Sequence, residues 1–296
     1  MRLQTVATAR GTRLLVERDG EMLDLADCME AAGEPWSDSL HDAGGLLAAG
    51  PGLLDRVRGV LDTAVPQALR AQAHEHVDRV LPPVTRPSKI ICVGLNYAKH
   101  AAEGNRPLPK QPLLFAKFPS ALVGDGGVVC KPSSTDALDY EGELAVVIGR
   151  RATDVSEADA LDHVGGYSII NDISARDLQA SEPQWIRAKA QDSFAPMGPY
   201  LVTPDEVGDV AALRLQTTVN GELRQDSLCA DMIFDVAELI AFISRSVTLM
   251  PGDIIATGTP AGVGLGFDPP RYLKEGDAVE ISITNLGTLR CTVADR

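Results

Sequence analysis

From Lys89 to the C-terminus the chain is punctuated by short apolar segments, KIICVGL, GVVCKP, LAVVIG, YSIIND, LRLQTTVNG, DIIATG and AVEISITNLGTLRCTV, many closed by glycine, proline or asparagine. Runs of this length, rich in valine and isoleucine and bounded by turn formers, read as β-strands. Helical spacing is clearest in DMIFDVAELIAFISRSVTLMPGD, where Ile233, Val236, Ala237, Ile240, Ile243 and Val247 recur on one face and Pro251-Gly252 stops the pattern. Strands and helices do not alternate in the way a doubly wound sheet requires. The expectation is an α+β chain that is mainly β, with mixed or antiparallel strands and a few helices outside them.

The first 70 residues read differently. Two strand-like segments, LQTVAT and TRLLVER, lie on either side of Gly11, and alanine- and leucine-rich pieces, HDAGGLLAAG and PGLLDRVRGVLDTA, follow. Pro66, Pro82, Pro83 and Pro87 then fall between residues 63 and 88, and LPPVTRPSK ends where KIICVG begins. Proline removes backbone donors and restrains its neighbour, which suits a connector. The expected division is a small N-terminal α+β domain with its linker, residues 1–80, and a catalytic domain, residues 81–296.

With 296 residues, 45% of them hydrophobic and 23% charged, the chain has the composition of a globular protein with a real core. No apolar run approaches the ~18 residues of a membrane helix, and MRLQTVATARG lacks the features of a signal peptide. Cytoplasm is the expected location, with no membrane partner. A formal net charge of −14 repels nucleic acid and anionic lipid at long range, so neither is expected as a partner. The five cysteines lie far apart with no C-x-x-C, and the five histidines offer one close pair, His74 and His76. Zinc, disulfide and histidine-built metal sites are therefore not indicated.

The segment LDYEGELAVVIG, Leu138–Gly149, places Asp139, Glu141 and Glu143 on one strand face and Tyr140, Leu144, Val146 and Ile148 on the other. Two readings are open: a half-exposed strand with a wet carboxylate face, or acids gathered for chemistry. YSIINDISARDLQ adds Asp172 directly after an apolar run, as a turn or helix cap or as a third member of the set. Glu141, Glu143 and Asp172 together form the oxygen donor set of a hard cation, Mg²⁺ or Mn²⁺, with Ca²⁺ also suited. Crowded, poorly solvated carboxylates repel one another, and a divalent ion gives them a reason to converge.

In GLNYAKHAAEGN, a helix beginning at Tyr97 puts His100 and Glu103 at i and i+3. The two are either surface neighbours or an imidazole oriented by a carboxylate to take a proton from water. PLPKQP, just beyond, reads as a stiff loop near a pocket. QWIRAKAQDSFAPMGPY holds Arg187 and Lys189, which are solvated surface cations or, for Lys189, a stabiliser of a metal-bound enolate. IIATGTPAGVGLG is glycine-rich but fits neither the dinucleotide nor the P-loop spacing; its amides are suited to cradle a carboxylate.

In this order, NYAKHAAE, DYEGELAVVIG, NDISARDLQ, the Lys189 segment ending in MGP, and GDIIATGTPAGVG resemble the fumarylacetoacetate hydrolase family over roughly residues 86–296. The resemblance implies that family's β-roll and a Mg²⁺- or Mn²⁺-dependent homodimer acting on small anionic keto or diketo acids. It implies that Glu141, Glu143 and Asp172 are the metal ligands, His100 and Glu103 the water-activating pair, and Lys189 the carbanion-stabilising lysine. Gln179 and Thr259 match substrate contacts. The chain departs from the larger animal-type hydrolases in lacking a counterpart of their additional upstream aspartate ligand, which draws it toward the acylpyruvases and oxaloacetate decarboxylases.

The leading functional expectation is hydrolytic cleavage of a C–C bond in a 2,4-diketo acid of acylpyruvate or fumarylpyruvate type. His100, held by Glu103, would deprotonate water, and the leaving enolate would be stabilised by the metal and Lys189. Decarboxylation or keto–enol tautomerisation of oxaloacetate-like acids is the alternative. A non-catalytic roll that binds a metal and an organic acid is the alternative of another class.

Overall fold

In the computed structural model of the chain, which describes residues 1–37, 40–62 and 77–296, the apolar segments pair into two sheets and a short ribbon. The Pro66 part of the expected connector and the pair His74 and His76 lie outside the described residues. The N-terminal region supplies β1 (Arg2–Thr8), β2 (Gly11–Arg18), β3 (Glu21–Asp24) and β4 (Val77–Val80). Next come β5 (Ile90–Gly94), β6 (Leu113–Lys117), β7 (Leu122–Val123), β8 (Gly127–Lys131) and β9 (Leu138–Asp139). Then follow β10 (Gly142–Ile148), β11 (Val164–Asn171), β12 (Ser174–Ala175) and β13 (Ala195–Val202). The last are β14 (Arg214–Val219), β15 (Glu222–Leu228), β16 (Ile254–Ala256), β17 (Ala278–Ile283) and β18 (Gly287–Asp295).

The larger sheet runs β3-β2-β1-β13-β11-β10-β16-β5-β6, with β4 on β1 and β7 on β13; the smaller runs β15-β14-β17-β18-β8. Most neighbours are antiparallel, while β16–β5, β18–β8 and β13–β7 are parallel. The chain is thus mainly β in a mixed arrangement, as its segments indicate. β1 hydrogen-bonds β13 through Arg2↔Val202 and Leu3↔Leu201, so the N-terminal strands continue the sheet that carries the site.

The helix expected after residue 231 runs from Val236 to Ser244. Asp235 accepts from Glu238 N and Glu238 reaches back to Asp235 N, a capping box that fixes where it starts. Ile233 and Val247, which share the apolar spacing, fall outside it, and Val247 is exposed. The helix buries Val236, Leu239, Ile240 and Ile243.

The central strand decides the site. β10 lies between β11 and β16, and all its residues are buried. Asp139, Glu141 and Glu143 are only 0%, 4% and 2% exposed, so the wet-face reading of this segment is wrong. One face of β10 packs on the smaller sheet, and its carboxylate face is covered by the segments that carry His100, Lys189 and Thr259. The register pairs Gly142 with Asn171, and Asp172 N donates to Glu141 O at 2.8 Å. Glu141 and Asp172 therefore stand side by side where the two strands end.

Gly142 has no room for a side chain. A Cβ there would press on Thr217 Oγ1, Ile281 Cγ2 and Gln225 Oε1 of the opposing sheet. We expect Gly142→Ala to lower the unfolding free energy by about 1–3 kcal/mol, the usual cost of overpacking. Denaturant titration should show a lower midpoint at unchanged slope; an unchanged midpoint would mean that the two sheets separate freely here.

Candidate active site

β5 ends in a turn through Leu95 and Asn96 that launches the helix Ala98–Glu103. Asn96 fixes this turn from within: its Nδ2 donates to Phe234 O (2.9 Å) and Thr257 O (2.7 Å), and its Oδ1 accepts from Phe234 N (2.8 Å). The helix begins after Tyr97, as its sequence suggests, and His100 Nδ1 meets Glu103 Oε1 at 2.9 Å. The carboxylate orients the ring through Nδ1 and leaves Nε2 facing the cluster, 3.9 Å from Glu141 Oε1.

Glu141, Glu143 and Asp172 each offer a carboxylate oxygen, and those oxygens lie within 4.8 Å of one another. Lys189, on the short helix Ile186–Lys189, reaches both Glu141 Oε2 (2.5 Å) and Asp172 Oδ2 (2.9 Å) and is 2% exposed. Sequence reasoning missed two partners. Lys117, buried at the end of β6, approaches Asp172 Oδ1 at 2.7 Å and donates to Ile173 O (3.0 Å), Phe194 O (2.8 Å) and Lys189 O. Arg176 donates from Nε to Asp139 Oδ2 (2.8 Å) and sets Nη2 2.7 Å from Glu141 Oε1. Asp139, placed on the acidic face by its sequence position but given no role there, accepts further from Tyr140 N, Gly264 N and Leu265 N. The detectable signal was a strand with acids at alternate positions followed by ARD, in which an arginine enters an otherwise acidic segment.

The electrostatics separate the acids. Burial raises the Glu141 pKa, but Arg176, Lys189 and His100 together outweigh it and hold the carboxyl well below the usual range. Glu143 shifts the other way: burial, and then the charges of Asp172 and Glu141, push it well above its ordinary value. Its Oε2 accepts from Gly258 N at 2.8 Å, and among the described residues no cation pairs with it. Asp172 Oδ1 is buried without an aligned hydrogen-bond donor, the Lys117 approach being off angle. An all-oxygen trio that includes one acid without a cation and one oxygen without an aligned donor fits a hard divalent ion.

The glycine-rich segment holds the protein's own acids rather than a phosphate. Besides Gly258 and Glu143, Gly262 N donates to Glu103 Oε2 at 2.9 Å, while Gly264 and Leu265 serve Asp139. Gly258 and Gly262 adopt φ of +101° and +103°, and a Cβ on Gly262 would strike Arg224 O.

Together these groups border a cavity of about 420 Å³, whose apolar wall includes Val93, Phe115, Trp185 and Tyr272. His100, Glu141, Glu143, Lys189, Gln179 and Thr259 all line it. Gln179 Oε1 accepts from Arg176 Nη1 at 3.0 Å, and Thr259 Oγ1 donates to Gly142 O at 2.9 Å. Glu103 stands behind His100. Arg187 is outside the site, exposed and paired with Glu182. All five cysteines are free. Among the described residues no helix is long and apolar enough to cross a membrane.

The family profile described as Fumarylacetoacetate (FAA) hydrolase C-terminal matches residues 89–294. Among relatives, the protein named "Oxaloacetate tautomerase FAHD2B, mitochondrial" of Bos taurus is 45% identical over 245 residues, 82% of this chain and 76% of that one. "Oxaloacetate tautomerase YisK" of Bacillus subtilis is 49% identical over 211 residues, 70% of each chain. Among solved structures, the fumarylacetoacetate hydrolase from psychrophilic Exiguobacterium antarcticum superposes with a TM-score of 0.85 at 37% identity, covering 100% of both chains. The spacing of the acidic strand, the enclosed carboxylate trio and these matches lead to one conclusion: the chain belongs to the fumarylacetoacetate hydrolase family and is an enzyme of it.

Proposed function

We propose that the chain is a divalent-metal-dependent keto–enol tautomerase of oxaloacetate-like 2-oxo acids, acting as a homodimer. The observation that carries this reading is the His100–Glu103 pair, which aims a single oriented nitrogen at the carboxylate cluster. The two relatives named oxaloacetate tautomerase support it at 45% and 49% identity. This departs from the hydrolysis expected first from the sequence and adopts the alternative named beside it.

Glu141, Glu143 and Asp172 would hold Mg²⁺ or Mn²⁺, which when bound supplies a Lewis acid that polarises the 2-oxo group. The chain's own groups do the rest. Glu103 keeps the proton on His100 Nδ1, so Nε2 takes a proton from the carbon beside the keto group while the oxygen takes one from water to give the enol, and both transfers run backwards in the ketonising direction. Lys189 brings an ammonium to the place where enolate charge develops. Gln179 and Thr259 line the space a substrate would fill, and the apolar wall limits water.

Hydrolysis of a 2,4-diketo acid is the second reading, with the same dyad acting on water; the similarity to the Exiguobacterium protein named a hydrolase favours it. The deciding experiment follows both reactions on purified protein with Mg²⁺: enol loss from oxaloacetate by ultraviolet absorbance, and acylpyruvate cleavage by NMR. We expect tautomerisation to be fast and cleavage to be absent; the converse would sink the proposal.

Two further outcomes follow from the assignments. His100→Ala should slow tautomerisation by about 10²–10⁴-fold, the usual contribution of a positioned base, with Glu103→Gln acting in the same direction but less strongly. Wild-type rates in both variants would remove His100 from the chemistry. Glu141→Gln and Asp172→Asn should weaken Mg²⁺ and Mn²⁺ binding in calorimetry, with the thermal unfolding transition still cooperative. Unchanged affinity in both would overturn the ligand assignment.

A further inference from the structure

The cations that line the cavity differ in one respect. Lys189 and Arg176 are committed to Glu141, Asp172 and Asp139, and His100 to Glu103. Arg106 also lines the cavity, is exposed, and has no carboxylate partner among the described residues. Asp177, the acid on the wall outside the proposed ligand set, is engaged by Thr135 Oγ1 (2.6 Å), Asp136 N (3.0 Å) and Leu178 N (2.9 Å).

The backbone fixes where Arg106 stands. At the end of the helix Ala98–Glu103, Asn105 takes φ 51°, Asn105 N donates to Ala102 O (3.0 Å), and Arg106 N donates to Ala101 O (2.8 Å). These two bonds about a left-handed residue are a Schellman motif, with Arg106 as its closing residue. His100 and Arg106 are therefore carried on one short rigid unit.

Resting on the tautomerase reading, we propose that Arg106 receives the distal carboxylate of the substrate, making the chain selective for 2-oxo dicarboxylates over 2-oxo monocarboxylates. The 2-oxo end belongs with the acidic cluster, where the paired cations and the metal ligands are. A planar guanidinium at the cavity rim is suited to a bidentate carboxylate, and in a chain of net charge −14 an unpaired cation in the pocket is a strong local attractor for it. A cavity of about 420 Å³ is in the range that encloses a ligand longer than a four-carbon acid.

The test is calorimetric binding with Mg²⁺ present, using stable acids matched in length: 2-oxoglutarate against 2-oxopentanoate, and 2-oxoadipate against 2-oxohexanoate. Wild type should prefer the dicarboxylate of each pair by about ten-fold, the order of one charge-assisted hydrogen-bonded contact. Arg106→Ala should erase that preference while leaving monocarboxylate affinity unchanged, and Arg106→Lys should restore part of it. In turnover, Arg106→Ala should raise KM for oxaloacetate with kcat within about three-fold. Equal preference in wild type and Arg106→Ala, or equal losses for both acids of a pair, would overturn the proposal. Because binding is read separately from turnover, a protein that discriminates but does not tautomerise would refute the assigned reaction and leave Arg106 in place.

Discussion

Everything at this site depends on keeping four carboxylates, Asp139, Glu141, Glu143 and Asp172, inside the protein. Buried like charges are costly unless each finds a partner. The fold meets that demand with the three cations Lys117, Lys189 and Arg176, and with backbone amides from the segment after β16. The balance leaves one acid more than there are cations. Glu143 is the member held by an amide without a paired cation among the described residues, and burial together with the charges of Asp172 and Glu141 pushes its carboxyl up.

Strand pairing supplies the geometry that side-chain chemistry then uses. Glu141 and Glu143 share a face because the strand repeats every two residues, and Asp172 joins them because β11 ends opposite Gly142. A one-residue slip between β10 and β11 would turn both glutamates into the packed face against β14 and β17. The absence of a side chain at Gly142 lets the two sheets close on the strand face opposite the acids.

Much of this was legible in the residues. The strands, the helix after Asp235, and the grouping of His100 with Glu103 follow from spacing and turn chemistry, and the carboxylate trio from alternation plus an acid at a strand end. What spacing could not supply was depth. The period of two gives which side Asp139, Glu141 and Glu143 take, but burial of that side is decided by segments distant in the chain. For the same reason nothing in the residues around Lys117 or Arg176 marked either as a buried counter-charge. Gln179 and Thr259 had no signal of their own beyond the family resemblance, since a lone glutamine or threonine carries no pattern.

Asp139 and Glu143 come from one acidic segment and Glu103 from the helix after β5, yet all three take hydrogen bonds from main-chain N–H groups between Gly258 and Leu265. Main-chain donation does not itself depend on side-chain identity, but three of these four donors are glycines whose surroundings leave no space for a Cβ. The support is sensitive to segment length as well. A single inserted or deleted residue would misplace several acids at once, so among descendants of such a sequence this stretch should keep both its length and its glycines at 258, 262 and 264.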